Sequence, residues 1–172
     1  IGAVGYYHAQ DFLYLRSYGA TRLRVDADGI KFGSDSAAAN ALDDYEEGTW
    51  TPSAIQGGTI NTVDTGNCRY TKIGNTVHVR GEFYNFSSTN SSALIVGGLP
   101  YTVANGLESA FPVMYHQVNL DSGYTQLTGY AQSNSNNFRF YESGDAANWS
   151  ALRGDQCGSS TDFILAITYE AA

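Results

Sequence analysis

Charge is what this chain has least of. Across 172 residues, Asp, Glu, Lys and Arg make up only 15%, well short of the usual quarter. Lysine is nearly missing, with Lys31 and Lys72 its two occurrences. Acids outnumber Lys and Arg 17 to 9, for a net charge of −8. No basic stripe exists to displace counterions from phosphates, which excludes nucleic acid as a partner, and the same acidity argues against an anionic membrane surface. No apolar run approaches the roughly 20 residues of a transmembrane helix, so membrane insertion is not expected. Helix formers are too sparse for a bundle. The two cysteines, Cys68 and Cys157, form no CxxC and stand at no metal-ligand spacing from a histidine. A disulfide framework would use more than one bridge; a single long-range bond remains open, but two buried, idle thiols are the expectation. The chain opens on Ile1 rather than Met and is expected to be part of something longer.

What fills the space left by charge is Gly (19) and Tyr (13), with abundant Ser, Asn and Thr. This mixture is too aromatic for disorder. It matches the surfaces of extracellular binding proteins, where Tyr, Ser, Asn and Gly make contacts at low entropic cost. The length suits one ordinary domain, or a modest domain with a small appendage.

The hydrophobic period is two nearly everywhere. In TVHVRGEF (76–83), Val77, Val79, Gly81 and Phe83 take one face while Thr76, His78, Arg80 and Glu82 take the other. DFILAITYEA (162–171) sets Phe163, Leu165, Ile167 and Tyr169 against Ile164, Ala166 and Thr168, so both faces are expected to be buried. NCRYTKI (67–73), FPVMYHQVNL (111–120), TQLTGYAQ (125–132) and NFRFYE (137–142) alternate in the same way, with Gly, Asn and Ser turn signals between them. Short strands with that punctuation predict an all-β fold: an antiparallel β-sandwich or jelly-roll-like domain over 41–172, its strands starting near 48. The only helix the pattern allows is a short one within 36–47.

The first 40 residues differ. FLYLRS (12–17), TRLRVDA (21–27) and GIKF (29–32) are short strands sharing one narrow apolar face of Leu13, Leu15, Leu23, Val25, Ile30 and Phe32. Arg16, Arg22 and Arg24 fall opposite. Strands of that size cannot bury enough surface alone, so copies of the chain are expected to cover the face in a short intertwined trimeric β stem over 1–40. SDSAAANA (34–41) reads as a small-residue linker. After it, LDDYEEG gathers Asp43, Asp44, Glu46 and Glu47. Four acids in five residues do not face one another across a cleft as glycan hydrolysis needs, and they lack the spacing and mid-loop Gly of a calcium loop. They read instead as a solvated turn capped by Asp43 or Asp44 and ended by Gly48, with Trp50 anchoring the first strand.

LDDYEEGTWTP (42–52), YTKIGNTVHVRGEF (70–83), LIVGGLPYTV (94–103) and FILAITYEA (163–171) resemble, in that order, the C-terminal domains of bacteriophage tail fibre and tailspike-type proteins. The upstream LYLRSYGATRLRVDADGIKFG resembles the short β repeats that precede such domains. The resemblance covers 41–172 and leaves the interior from about 104 to 160 unmatched. It implies a homotrimeric receptor-binding tip, joined to an upstream fibre shaft in the virion, that attaches to a host cell-surface glycan or protein. It carries over no catalytic residue and no cofactor. A glycan-cleaving tailspike enzyme and a purely structural trimer-locking cap are the alternatives.

No nucleophile elbow and no clustered histidine point to an enzyme; His8, His78 and His116 are scattered. Ligand contact is better signalled, because sugars take aromatic faces flanked by Asn, Asp and Ser on loops. YNFSSTNSS (84–92) offers Tyr84 and Asn85; QSNSNNF (132–138) offers Asn136, with Tyr141 near; GDAANWS (144–150) offers Asn148 and Trp149; and Tyr124 follows DSG. Trp149 is the leading anchor, the competing reading being a loop plug folded onto the core.

Overall fold

In the computed structural model the described residues are 2–38, 41–42 and 44–172, and they divide into two compact units, Ile1–Tyr45 and Glu46–Ala172. Both are antiparallel β. Among the described residues there is no α-helix, and no helix long and apolar enough to cross a membrane. The short helix expected within 36–47 falls partly on residues 39, 40 and 43, outside the described residues.

The first unit is a meander of β1 (Ala3–Tyr7), β2 (Phe12–Ser17), β3 (Ala20–Asp26) and β4 (Gly29–Phe32). Tyr18 and Gly19, both at positive φ (55° and 76°), make the two-residue turn whose twist matches the flanking strands. Cross-strand register sets Leu13 against Val25, Leu15 against Leu23, and Val25 against Ile30, so the expected apolar face is continuous. The strand missed in the sequence, β1, extends that face by pairing Val4 with Leu15 and Tyr6 with Leu13. Much of it is bare: Val4 and Phe32 are 72% and 65% exposed. On the opposite face the Arg24 guanidinium lies 4.1 Å from the centre of the Phe12 ring. Beside it Lys31 is fully buried, its ammonium donating to the carboxylates of Asp26 and Asp28.

The second unit is an 11-stranded sheet curled into a sandwich. Its strands are β5 (Tyr45–Thr49), β6 (Ser53–Gln56), β7 (Thr59–Val63), β8 (Arg69–Ile73), β9 (Thr76–Ser87), β10 (Ile95–Gly97), β11 (Ser109–His116), β12 (Gln126–Ala131), β13 (Asn137–Ser143), β14 (Ser150–Ala151) and β15 (Asp162–Glu170). The path runs β5-β8-β9-β15-β11-β12-β13-β10-β6, with β7 on β9 and β14 on β13. The turn of the sheet lies within β11. Ser109–Pro112 pair with β12, whereas Val113–His116 pair with β15, so one strand serves both halves.

That curl brings the two apolar faces together. Phe83 and Phe163 from one half meet Phe111, Phe138 and Phe140 from the other, and the Phe140 and Phe163 rings stack 4.7 Å apart. Trp50 is 5% exposed, as its anchoring role requires; its indole N–H donates to the Arg80 carbonyl at 2.8 Å. A side chain at Gly81 would strike that indole, its Cβ 2.7 Å from Trp50 Cζ2, which is why glycine stands on the apolar face of β9.

Two expectations are corrected. The second face of β15 is exposed: Ile164, Ala166 and Thr168 face outward, because only one side of the curled sheet meets the core. The acidic stretch is not a turn either. Glu46 and Glu47 lie on strand β5, and the Tyr101 hydroxyl donates a short hydrogen bond to the Glu46 carboxylate. Asp43 lies outside the described residues.

Candidate aromatic binding surface

The hairpin of β12 and β13 alternates strictly. Leu127, Gly129 and Ala131 on one strand and Phe138, Phe140 and Glu142 on the other point inward and are buried. Thr128, Tyr130, Arg139 and Tyr141 therefore point outward. Register places Tyr130 across from Arg139 and Thr128 across from Tyr141. The Tyr130 and Tyr141 rings sit 5.6 Å apart at 33°, a tilted near-stack.

The loop after β13 adds a third ring. It returns to pair Ser150 with Glu142 and Ala151 with Tyr141, which leaves Trp149 at the edge of the hairpin. The Trp149 and Tyr141 rings are 5.1 Å apart at 39°, yet Trp149 is 72% exposed. Trp149 does not plug the core; it is a rim residue. The Tyr124 hydroxyl donates to the Asn148 carbonyl at 2.9 Å and fixes the loop beside it. Tyr130, Tyr141 and Trp149, with Thr128, Glu108 and Ala110, line a hollow of about 480 Å³. Burial, followed by the neighbouring Tyr141, holds the Tyr130 phenol above its ordinary pKa, so it keeps its proton and can donate.

A polar frame holds the segment that carries Tyr124. Glu142 is fully buried and accepts from the side-chain amide of Gln156 and from the backbone N–H of Asp121. Arg153 grips Asp121 with two parallel bonds of 2.6 and 3.1 Å, the fork geometry that makes Arg–carboxylate pairs specific. The Arg153 guanidinium holds the Asp121 carboxyl below its usual range.

The seven residues singled out in the sequence thus fall into three places. Trp149, Asn148, Tyr124 and Tyr141 come together. Tyr84 lies on the outer face of the other half of the sandwich, where β9 sets it across from Asp162, with His116 and Glu82 lining the same shallow hollow. Asn85, next to it, has positive φ (64°), and its side-chain carbonyl accepts from Asn61. Asn136 sits at the tip of the β12–β13 hairpin, where its carbonyl accepts from the Leu99 N–H. At a rise of about 3.3 Å per residue, that tip is some 15–20 Å along the strand from Tyr141.

Tyr130, Thr128 and Glu108 were missed because loops were weighed above strands. The signal was present in TQLTGYAQ, whose alternation sends Gly129 inward and so sends Thr128 and Tyr130 out.

Cys68 and Cys157 are free and buried, and burial pushes the Cys157 thiol up to about 12. Among the described residues no three His, Cys, Asp or Glu side chains converge as a metal centre needs. Comparison of the chain with protein-family models, with curated proteins and with solved structures finds no significant match.

Proposed function

We propose that this chain is the distal module of a bacteriophage tail fibre, which attaches the particle to a host cell-surface receptor by binding its glycan. The observation that carries the reading is the run of three rings, Tyr130, Tyr141 and Trp149, on an outward face beside a hollow of about 480 Å³. Sugar rings present C–H faces that stack on aromatic surfaces, and hydroxyls that Thr128, Glu108 and the Tyr130 phenol can hydrogen-bond. The hollow has one carboxylate, Glu108, whereas glycoside hydrolysis employs a pair, so the site is read as binding rather than cleaving.

The oligomer proposed is a homotrimer held through the first unit and continuous with an upstream shaft. Its support is the apolar face of β1 to β4, with Val4, Tyr6, Leu13, Leu15 and Phe32 all exposed. Unpartnered apolar faces of this kind mark association surfaces. The same face favours a second reading, a cap that locks the fibre trimer in register. In the proposed assembly three shallow sites act together and avidity, not a deep pocket, holds the particle.

A glycan array probed with the isolated protein tests the binding role. Binding to a defined set of glycans, with that glycan blocking particle adsorption, is the expected result; an array without hits, alongside undiminished adsorption in the presence of excess protein, would favour the cap. Light scattering tests the trimer: a folded monomer at micromolar concentration would overturn it, and Leu15→Glu should dissociate it.

A further inference from the structure

The outward face that carries the three rings does not end at Tyr130. Alternation sends Asn137 and Arg139 outward with Tyr141, and Gln132 outward with Tyr130. The Gln132 N–H donates to the Asn137 carbonyl at 3.0 Å, so the hairpin register continues and sets these two side chains across from each other. Arg139 stands between Tyr130 of β12 and Ile95 of β10, directly opposite both. Opposed side chains in an antiparallel pair have Cβ atoms about 5 Å apart, which puts the Arg139 stem one sugar unit from Tyr130. Its charge is felt at that ring. Burial raises the Tyr130 phenol most and Tyr141 adds to the rise, while Arg139 opposes it.

These three polar side chains do not satisfy one another. Arg139 Nε, Asn137 Oδ1 and Gln132 Oε1 are buried without a partner, three of the four such atoms among the described residues. Buried polar atoms are paired almost everywhere else in folded proteins, so three orphans on adjoining residues mark an unfinished network. The remaining nitrogens of the trio, two on the guanidinium and one on each amide, touch solvent and are equally unbonded among the described residues. No described carboxylate lies within ion-pair distance of Arg139. Glu108 of the hollow stands on the β11 side of Tyr130, two strand spacings or roughly 10 Å from Arg139 at the backbone. The solvent-facing polar atoms of the trio are thus all donors. A patch that only donates, built around a planar guanidinium fork, matches a group that only accepts: a carboxylate.

We propose that Arg139, flanked by Asn137 and Gln132, forms a second subsite that binds the carboxylate of a uronate linked to the sugar stacked on Tyr130 and Tyr141. This rests on the glycan-binding reading of the aromatic surface and adds the substrate class, an acidic saccharide in place of a neutral one. With a net charge of −8 the chain exerts no long-range pull on anions, so selection falls to this local fork.

The test probes an array of uronate-bearing oligosaccharides, each printed beside its carboxyl-reduced counterpart, with the full chain. Binding to uronates is expected, the reduced member of each pair being at least about tenfold weaker. In solution the best uronate should shift the side-chain resonances of Arg139, Asn137 and Gln132 together with the Trp149 indole, and its reduced form the indole alone. Arg139→Gln should bind both members alike, at the level of the reduced form. Trp149→Ala should weaken both and keep the preference. Equal binding of both members by the parent, hits confined to neutral glycans, or a preference that survives Arg139→Gln would each overturn the subsite and leave the aromatic surface standing. An array silent to acidic and neutral glycans alike would overturn both readings. The paired comparison and the resonance map on the parent decide the matter even if Arg139→Gln fails to fold.

Discussion

Truncating Trp149 to alanine separates anchoring from packing, because its ring is 72% exposed while it touches Tyr141 at a centroid distance of 5.1 Å. A tryptophan side chain carries up to about 250 Å² of surface, so roughly 70 Å² of it is covered here, worth about 1.7 kcal/mol at 25 cal/mol per Å². That is an upper value, since unfolded chains already bury part of this area. The ring contact adds about 0.5–1.5 kcal/mol. The folded protein should therefore lose no more than about 3.2 kcal/mol, a fall in Tm of less than about 13 °C at this chain length. Binding should suffer more. An aromatic anchor at the centre of a contact typically costs above about 2 kcal/mol on truncation, which is roughly a 30-fold rise in Kd per site. In the proposed trimer, where three sites would engage together, the defect in cell attachment should multiply. The chain has two tryptophans, and Trp50 is buried. Glycan binding should thus perturb only the red-shifted, exposed component of the fluorescence, the part that Trp149→Ala removes. Melting curves, fluorescence titration and surface binding complete the assay. A variant that binds within about twofold of the parent would refute the anchoring argument; one that melts far lower would refute the packing estimate.

Other consequences are independent of the ligand. Gly81→Ala should lower stability by about 1–3 kcal/mol, seen as a lower denaturation midpoint, because the new methyl meets the Trp50 indole within the core. Cys68 and Cys157 should resist thiol reagents at neutral pH until the protein is unfolded, and non-reducing mass analysis should show no internal bond; burial raises both thiols and so suppresses the reactive thiolate. Because Arg153 lowers the folded-state pKa of Asp121 below its value in the unfolded chain, their pairing should contribute fully above the ordinary carboxylate pKa and be lost as pH falls through the lowered one. Melts between about pH 5 and pH 2 should show a shallower acid-side loss in Arg153→Gln than in the parent, and parallel curves would contradict the pairing.

The fold was legible in the sequence wherever one face of a strand is dry and the other wet. Val77, Val79 and Phe83 against Thr76, His78 and Arg80 set β9 by period alone, and FLYLRS coincides with β2. The alternation failed as a guide for β15, because Ile164 is apolar yet faces outward, opposite Met114, which is itself 70% exposed. A two-residue period says which residues share a face, but not which face another layer will cover. Likewise the acids of DDYEE looked like turn residues by composition, whereas pairing within the sheet drew Glu46 and Glu47 into β5.

The candidate site divides along the same line. Local composition alone singled out Trp149 and Asn148, since a tryptophan among Gly, Ala and Asn has no strand to alternate with. That Tyr141 and Tyr130 continue the surface from Trp149 depends on the register of β12 with β13 and of β13 with β14, which no local pattern contains. The facing of Tyr130 and Arg139 has the same origin: 9 positions apart in the chain, they stand opposite because the turn over 133–136 between β12 and β13 fixes the register. Alternation is a property of each strand and is written in the sequence, whereas register is a property of pairs and is decided only when the turns close and the sheet curls around its core.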